Sequence, residues 1–115
     1  MQRDPQSIID IVDSINLIFE YTKNADWQAF ASSTKDQDAV IRRLTIIGEA
    51  TKRLSSEFRT QHSEVPWKQM AGLRDVVVHD YDDLKLDVVR DIIELELPLV
   101  LQQLLPLLPP PPESE

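Results

Sequence analysis

Apolar residues recur three and four positions apart along nearly the whole of this chain, and only two glycines, Gly48 and Gly72, occur in its 115 residues. That period belongs to helices, and no stretch demands a strand. In the first stretch Ile8, Ile11, Val12, Ile15, Ile18 and Phe19 line one face. Ile9 and Leu17 fall off that face and predict a second buried surface. Asp4-Pro5 reads as its cap with proline in the first turn, and Lys23-Asn24 as its frayed end. A short segment around Trp27-Gln28-Ala29-Phe30 leads to a second helix, opened by the capping-box pattern Thr34-Lys35-Asp36-Gln37. Its stripe is Val40, Ile41, Leu44, Ile47, Gly48, Thr51, Leu54 and Phe58. Glycine in mid-helix costs about 1 kcal/mol against alanine, so Gly48 predicts a close approach by another backbone.

Ser63 and Pro66 predict the start of a third helix with the stripe Trp67, Met70, Ala71, Arg74, Val77 and Val78, and Tyr81 on its continuation. Asp82-Asp83 break that pattern and offer a cap for a fourth helix, which runs from Val88 to Leu105. Pro98 lies inside it and predicts a kink or an early end. The expectation is an all-α protein, an antiparallel four- to five-helix bundle over residues 1–105. Residues 106–115 read as a proline-rich acidic tail, extended and disordered.

Composition narrows the function. Hydrophobic residues are 42 % of the chain, enough for a folded core. Without cysteine there is no disulfide framework and no thiolate metal site. The start, Met1 to Pro5, lacks the apolar core of a signal peptide, and no run approaches the ~20 apolar residues of a membrane span. The expectation is a soluble cytoplasmic protein with no membrane partner. The net charge of −8 argues against broad, nonspecific nucleic-acid binding. It leaves room for a small basic pocket or a basic partner protein.

Within that frame one segment gathers chemistry: Leu73-Arg74-Asp75-Val76-Val77-Val78-His79-Asp80-Tyr81-Asp82. Arginine holds a permanent charge on a planar fork suited to phosphate oxygens. Histidine takes or gives a proton near neutral pH. On an unbroken helix Arg74 and His79 would stand about 140° apart, from roughly 100° per residue. Bringing them together requires the helix to end near Val78, or two copies across a dimer. His62, the other histidine, lies in a predicted loop. The surplus apolar surface of the first and fourth helices, at positions such as Leu101, also predicts a homodimer with two motifs facing one groove. On the residues alone, the first reading of Arg74 is a stem packed along the core edge. Asp75 and His79, four apart, equally read as a helix-terminal pair. Glu49 reads either as a cleft residue or as a solvated partner of Arg53. Trp27 and Trp67 read as core or interface anchors.

The spacing resembles the R-x4-H-x-Y signature of the HEPN superfamily, in particular its HepT-like proteins. Leu44-Thr45-Ile46-Ile47-Gly48-Glu49-Ala50-Thr51-Lys52 resembles the second helix of that group, and matching segments run from about Ile8 to Leu105. The resemblance puts the catalytic reading first. It implies a metal-independent endoribonuclease toxin of a type VII-like toxin–antitoxin system, without a cofactor and typically dimeric. Arg74 and His79 would be catalytic, with Glu49 and Asp75 in possible support. It also implies a nucleotidyltransferase antitoxin that transfers AMP to Tyr81, and tRNA or mRNA as substrate. The alternative is a noncatalytic helical module that binds a nucleotidyltransferase and presents substrate to it or regulates it. The acidic charge and apolar surplus favour that alternative.

Overall fold

A computed structural model describes residues 3–24, 26–79 and 83–111, with His79 and Asp83 described through their backbones. The fold is helical apart from one two-residue ribbon. Its frame is α1 (Asp4–Thr22) packed along α3 (Thr34–Arg53), with the short α2 (Trp27–Ser32) between them in sequence. Ile8, Ile11, Ile15 and Ile18 of α1 meet Val40, Leu44 and Ile47 of α3 in one core cluster. The periodic stripes are therefore the buried faces.

Several ends differ from the sequence reading. Asp4 does not cap α1. Its carboxylate accepts hydrogen bonds from the Ser55 backbone N–H (2.9 Å) and hydroxyl (2.7 Å). Ser55 is itself the N-cap of α4 (Ser56–Gln61), its Oγ accepting from the Phe58 N–H. Asp4 thus fastens one helix start to another, and its burial is matched by satisfied oxygens. The cap of α3 is Ser33, one residue before the expected Thr34, and Gln37 reaches back to the carbonyls of Phe30 and Ala31. The second stripe is also cut. Leu54 leaves helical geometry at ψ 141°, so Phe58 belongs to α4.

The expected third helix is two short pieces, α5 (Trp67–Ala71) and α6 (Leu73–Val77), separated at Gly72. No side chain caps α5, so Ser63 does not take that role. Gly48 answers to the close approach expected of it. A Cβ there would stand 2.9 Å from the Ala71 carbonyl oxygen, so α3 and α5 meet backbone to backbone.

After α6 the chain turns extended and forms a two-residue antiparallel ribbon, β1 (Val78–His79) with β2 (Asp83–Leu84). The run Val76-Val77-Val78 accounts for the turn out of helix, since β-branched side chains lose rotamer freedom in a helix and fit an extended chain. Beyond the ribbon come α7 (Leu86–Asp91), a π-helical segment Ile92–Glu96, α8 (Leu97–Leu104) and a 3₁₀ turn Leu105–Leu107. Pro98 neither ends nor breaks this run. It would deny the Glu94 carbonyl its partner. The π segment, where the Leu97 N–H donates to the Ile92 carbonyl five residues back, absorbs the mismatch. Leu107 and Leu108 still pack on the core, past the expected boundary at 105. Among the described residues no helix is long and apolar enough to cross a membrane.

Candidate active site

The motif arginine is held from below by its neighbours. Leu73 and Val77 are buried and pin the single turn of α6 to the core, while Arg74, Asp75 and Val76 face solvent. Arg74 is therefore not on the apolar stripe, nor is it a stem along the core edge. The break at Gly72 shifts the helical register, so the buried series runs Trp67, Met70, Leu73, Val77. The Arg74 guanidinium lies half exposed, with Nη1 3.4 Å from Asp75 Oδ1. Such an exposed pair is worth at most about 1 kcal/mol. It tethers the guanidinium only loosely. Asp75 thus pairs with its sequence neighbour in this arrangement.

His79 is no longer on the helix. Val78 takes φ −109°, ψ 116°, and its N–H donates to the Arg74 carbonyl as the last helical bond. The Lys85 N–H then donates to the Val77 carbonyl at 2.8 Å, closing the ribbon behind the motif. Helix termination at Val77 is one of the two conditions that would let Arg74 and His79 work together. The 140° offset of a continuous helix does not apply to this pair. The register sets Asp83 opposite His79. In the sequence Asp83 reads only as a cap, and no short-range pattern announces a two-residue pairing. Asp80, Tyr81 and Asp82 lie outside the described residues, so the AMP-acceptor expectation at Tyr81 is not addressed by this geometry.

Glu49 is exposed on α3. Arg53 does not pair with it; its Nη2 reaches Asp10 Oδ2 of α1 at 3.3 Å. His62 packs its ring on Phe58 at 4.6 Å between centroids, and its carbonyl accepts from Trp67 Nε1 at 3.0 Å. Trp67 is buried, and Trp27 lies beneath the Arg90 guanidinium at 5.5 Å, so both are anchors as expected.

The family model for HepT-like ribonucleases matches residues 11–107 of this chain. A Methanocaldococcus jannaschii protein named as a gamma-glutamylcyclotransferase and candidate RNase is 38 % identical over 106 residues, covering 91 % of this chain and 48 % of that protein. The chain thus spans about half the length of that relative. A second protein of the same organism, named as a candidate RNase, is 35 % identical over 100 residues, 86 % of this chain and 92 % of that one. A Thermococcus cleftensis protein named "Probable ribonuclease HepT" is 38 % identical over 89 residues, 77 % of this chain and 81 % of its own length. No solved structure matches. With the motif arginine presented on α6, the histidine just past its end and a family match over most of its length, the chain belongs to the HepT-like ribonuclease family.

Proposed function

We propose that this protein is a metal-independent endoribonuclease whose cleft is shared by two copies of the chain. The observation that carries the reading is the placement of Arg74 on the solvent face of a pinned helical turn, with the backbone leaving the helix before His79. In the proposed reaction a base, His79 of one copy, removes the 2′-OH proton of a ribose. The 2′ oxygen attacks the adjacent phosphorus and the bond to the 5′ oxygen breaks. A protonated His79 of the partner copy returns a proton to that leaving oxygen. Arg74 neutralises the charge gathering on the phosphoryl oxygens, a task that metal ions perform in other nucleases. The products are a 2′,3′-cyclic phosphate and a 5′-OH. Glu49 and Asp75 are supporting groups in this reading, and the acidic chain acts in the cytoplasm on tRNA or mRNA.

Control falls to a nucleotidyltransferase antitoxin that places AMP on Tyr81. The added phosphate would set bulk and negative charge beside the motif and compete for Arg74. Purified unmodified protein should cut RNA in EDTA, whereas His79→Ala and Arg74→Ala should not. Equal cutting by all three would sink the assignment. Co-expression with the cognate nucleotidyltransferase should add AMP that maps to Tyr81 and disappears in Tyr81→Phe, which keeps its cleavage. Tyr21, which is 46 % exposed, is the other possible acceptor, and peptide mapping separates the two.

The second reading, a noncatalytic module that binds or regulates a partner enzyme, is favoured by the net charge of −8. Growth arrest on expression without a partner, relieved by His79→Ala, decides for the nuclease; indifferent growth decides for the module.

A further inference from the structure

A surface groove of about 440 Å³ lies between α5–α6 and the α7–π–α8 run. Small-molecule pockets usually measure about 300–1,000 Å³. Leu73 and Ile92 form its apolar floor, while Val76 is half exposed at its edge. Gly72 lines it too. Its φ of −108° is open to any amino acid, and a Cβ there would meet nothing nearer than the Lys68 carbonyl oxygen at 4.0 Å. Neither the backbone nor the packing calls for glycine, in contrast to Gly48. Its missing side chain keeps that part of the groove open and flat.

Three exposed polar side chains share this groove: Lys68 and Gln69 from α5, and Glu96 from the π segment. Neither Lys68 nor Glu96 appears among the ion pairs of the described residues. Opposite charges thus line one hollow without neutralising each other. An ammonium only donates hydrogen bonds, a carboxylate only accepts them, and a primary amide does both. A flat, apolar floor edged by both kinds of group suits a planar ring whose rim carries donors and acceptors. Unstacked RNA bases are recognised in this way, by their faces and by their Watson–Crick and Hoogsteen edges. Guanine fits the set best. Its N1–H and N2–H lie side by side and can both donate to one carboxylate, while its O6 and N7 accept from a lysine or an amide. Adenine and cytosine offer a carboxylate one amino group, and uracil one ring N–H.

We infer that the groove is a subsite for a guanine base of the RNA substrate. Glu96 accepts from N1–H and N2–H, Lys68 or Gln69 donates to O6 and N7, and the ring lies on Leu73 and Ile92 beside Gly72. The inference rests on the ribonuclease reading for the source of the base. Arg74 and Val76 stand about 200° apart on α6, at roughly 100° per residue. The groove therefore opens on the flank of the motif turn away from Arg74. A helix with its side chains is about 10–12 Å across, so the base belongs to a nucleotide near the scissile phosphate but not joined to it. The subsite fixes where along a strand the cut falls and touches none of the reacting atoms.

Titration with each 5′-mononucleotide, followed by amide NMR shifts, reads the groove without cleavage. GMP should bind at least about tenfold more tightly than AMP, CMP or UMP, the scale of one good bidentate pair. Its shifts should fall at Lys68, Gln69, Gly72, Ile92 and Glu96. Glu96→Gln replaces one acceptor by a donor and should remove the preference. Gly72→Leu, whose side chain would occupy the hollow, should weaken GMP at least about tenfold; circular dichroism confirms that each variant folds. Wild-type cleavage of a random-sequence RNA pool should show guanine enriched at one fixed offset from the cut. Both variants should lose that enrichment and keep His79-dependent cleavage. Equal binding of the four nucleotides overturns the inference whether or not RNA is cut. Cleavage without guanine enrichment, or enrichment that survives both variants, overturns it too and leaves the ribonuclease reading standing. A GMP preference that Glu96→Gln removes, in a wild type that cuts no RNA, supports the guanine site and sinks the ribonuclease reading instead.

Discussion

At the scale of single residues, exposure separates chemistry from stability. Arg74 touches the core through its neighbours and not through itself, so replacing it should leave unfolding unchanged within about 0.5 kcal/mol. RNA cleavage should nevertheless fall about 100-fold or more in Arg74→Ala, the scale of losing one charge-stabilising donor. Arg74→Lys keeps the charge but loses the planar fork, so it should recover only part of that loss. Single-turnover cleavage beside urea unfolding checks both statements. Asp4 is the reverse case. It is buried, its oxygens accept two hydrogen bonds from Ser55, and it lies in α1 rather than in the motif. Asp4→Ala should cost about 1–3 kcal/mol of stability by leaving the Ser55 donors unpaired. Ser55→Ala in the same background should then cost less than it does alone, the loss of its α4 cap remaining. Additive costs in that cycle would mean the two residues are not coupled.

At the scale of elements, the two glycines make a controlled pair. In a helix, alanine is favoured over glycine by about 1 kcal/mol. At Gly48 the new methyl would press on the Ala71 carbonyl at 2.9 Å, and backbone cannot swing aside as a side-chain tip can. Gly48→Ala should therefore destabilise by about 1–3 kcal/mol despite its better propensity, as overpacking does. Gly72→Ala meets no such contact and should be neutral or slightly stabilising. Denaturant midpoints of the two variants test the pair, and a stabilised Gly48→Ala would mean that α3 and α5 are less tightly packed than described. Since α6 follows α5 directly, loosening this contact should also lower cleavage.

The whole molecule is acidic, and under the proposed function that limits how it would hold RNA. If the proposed cleft binds through one Arg74 from each copy, about two phosphates are neutralised. For single strands each neutralised phosphate contributes about −0.7 to the slope of log affinity against log salt. RNA binding by the His79→Ala variant should then show a slope of about −1.4 or shallower in a filter or fluorescence titration. A slope steeper than about −4 would reveal a broad basic surface and contradict a two-arginine cleft. A net charge of −8 also sets a repulsive background that salt screens, which flattens the slope further.

The helical character, the faces of α1 and α3, the need for glycine at 48 and the motif itself were legible in the sequence. Helical periodicity is a local property, and the stripes Ile8 to Ile18 and Val40 to Thr51 report it directly. What tertiary structure decided lies at the ends and joints. Asp4 looked like a cap because its position relative to Pro5 permits one, yet its partner is Ser55, fifty-one residues away. Arg74 looked like part of an apolar stripe because a continuous helix would put it there. The break at Gly72 and the exit at Val78 moved Leu73 inward and left Arg74 in solvent. Pro98 looked like a kink or an early end because proline removes one hydrogen bond, while packing of Leu97, Val100 and Leu104 on the core holds the run together through a π segment. Periodicity records which side of a helix is apolar. Where a helix ends, and which distant group satisfies its last polar atoms, depends on contacts that form only once the chain has folded.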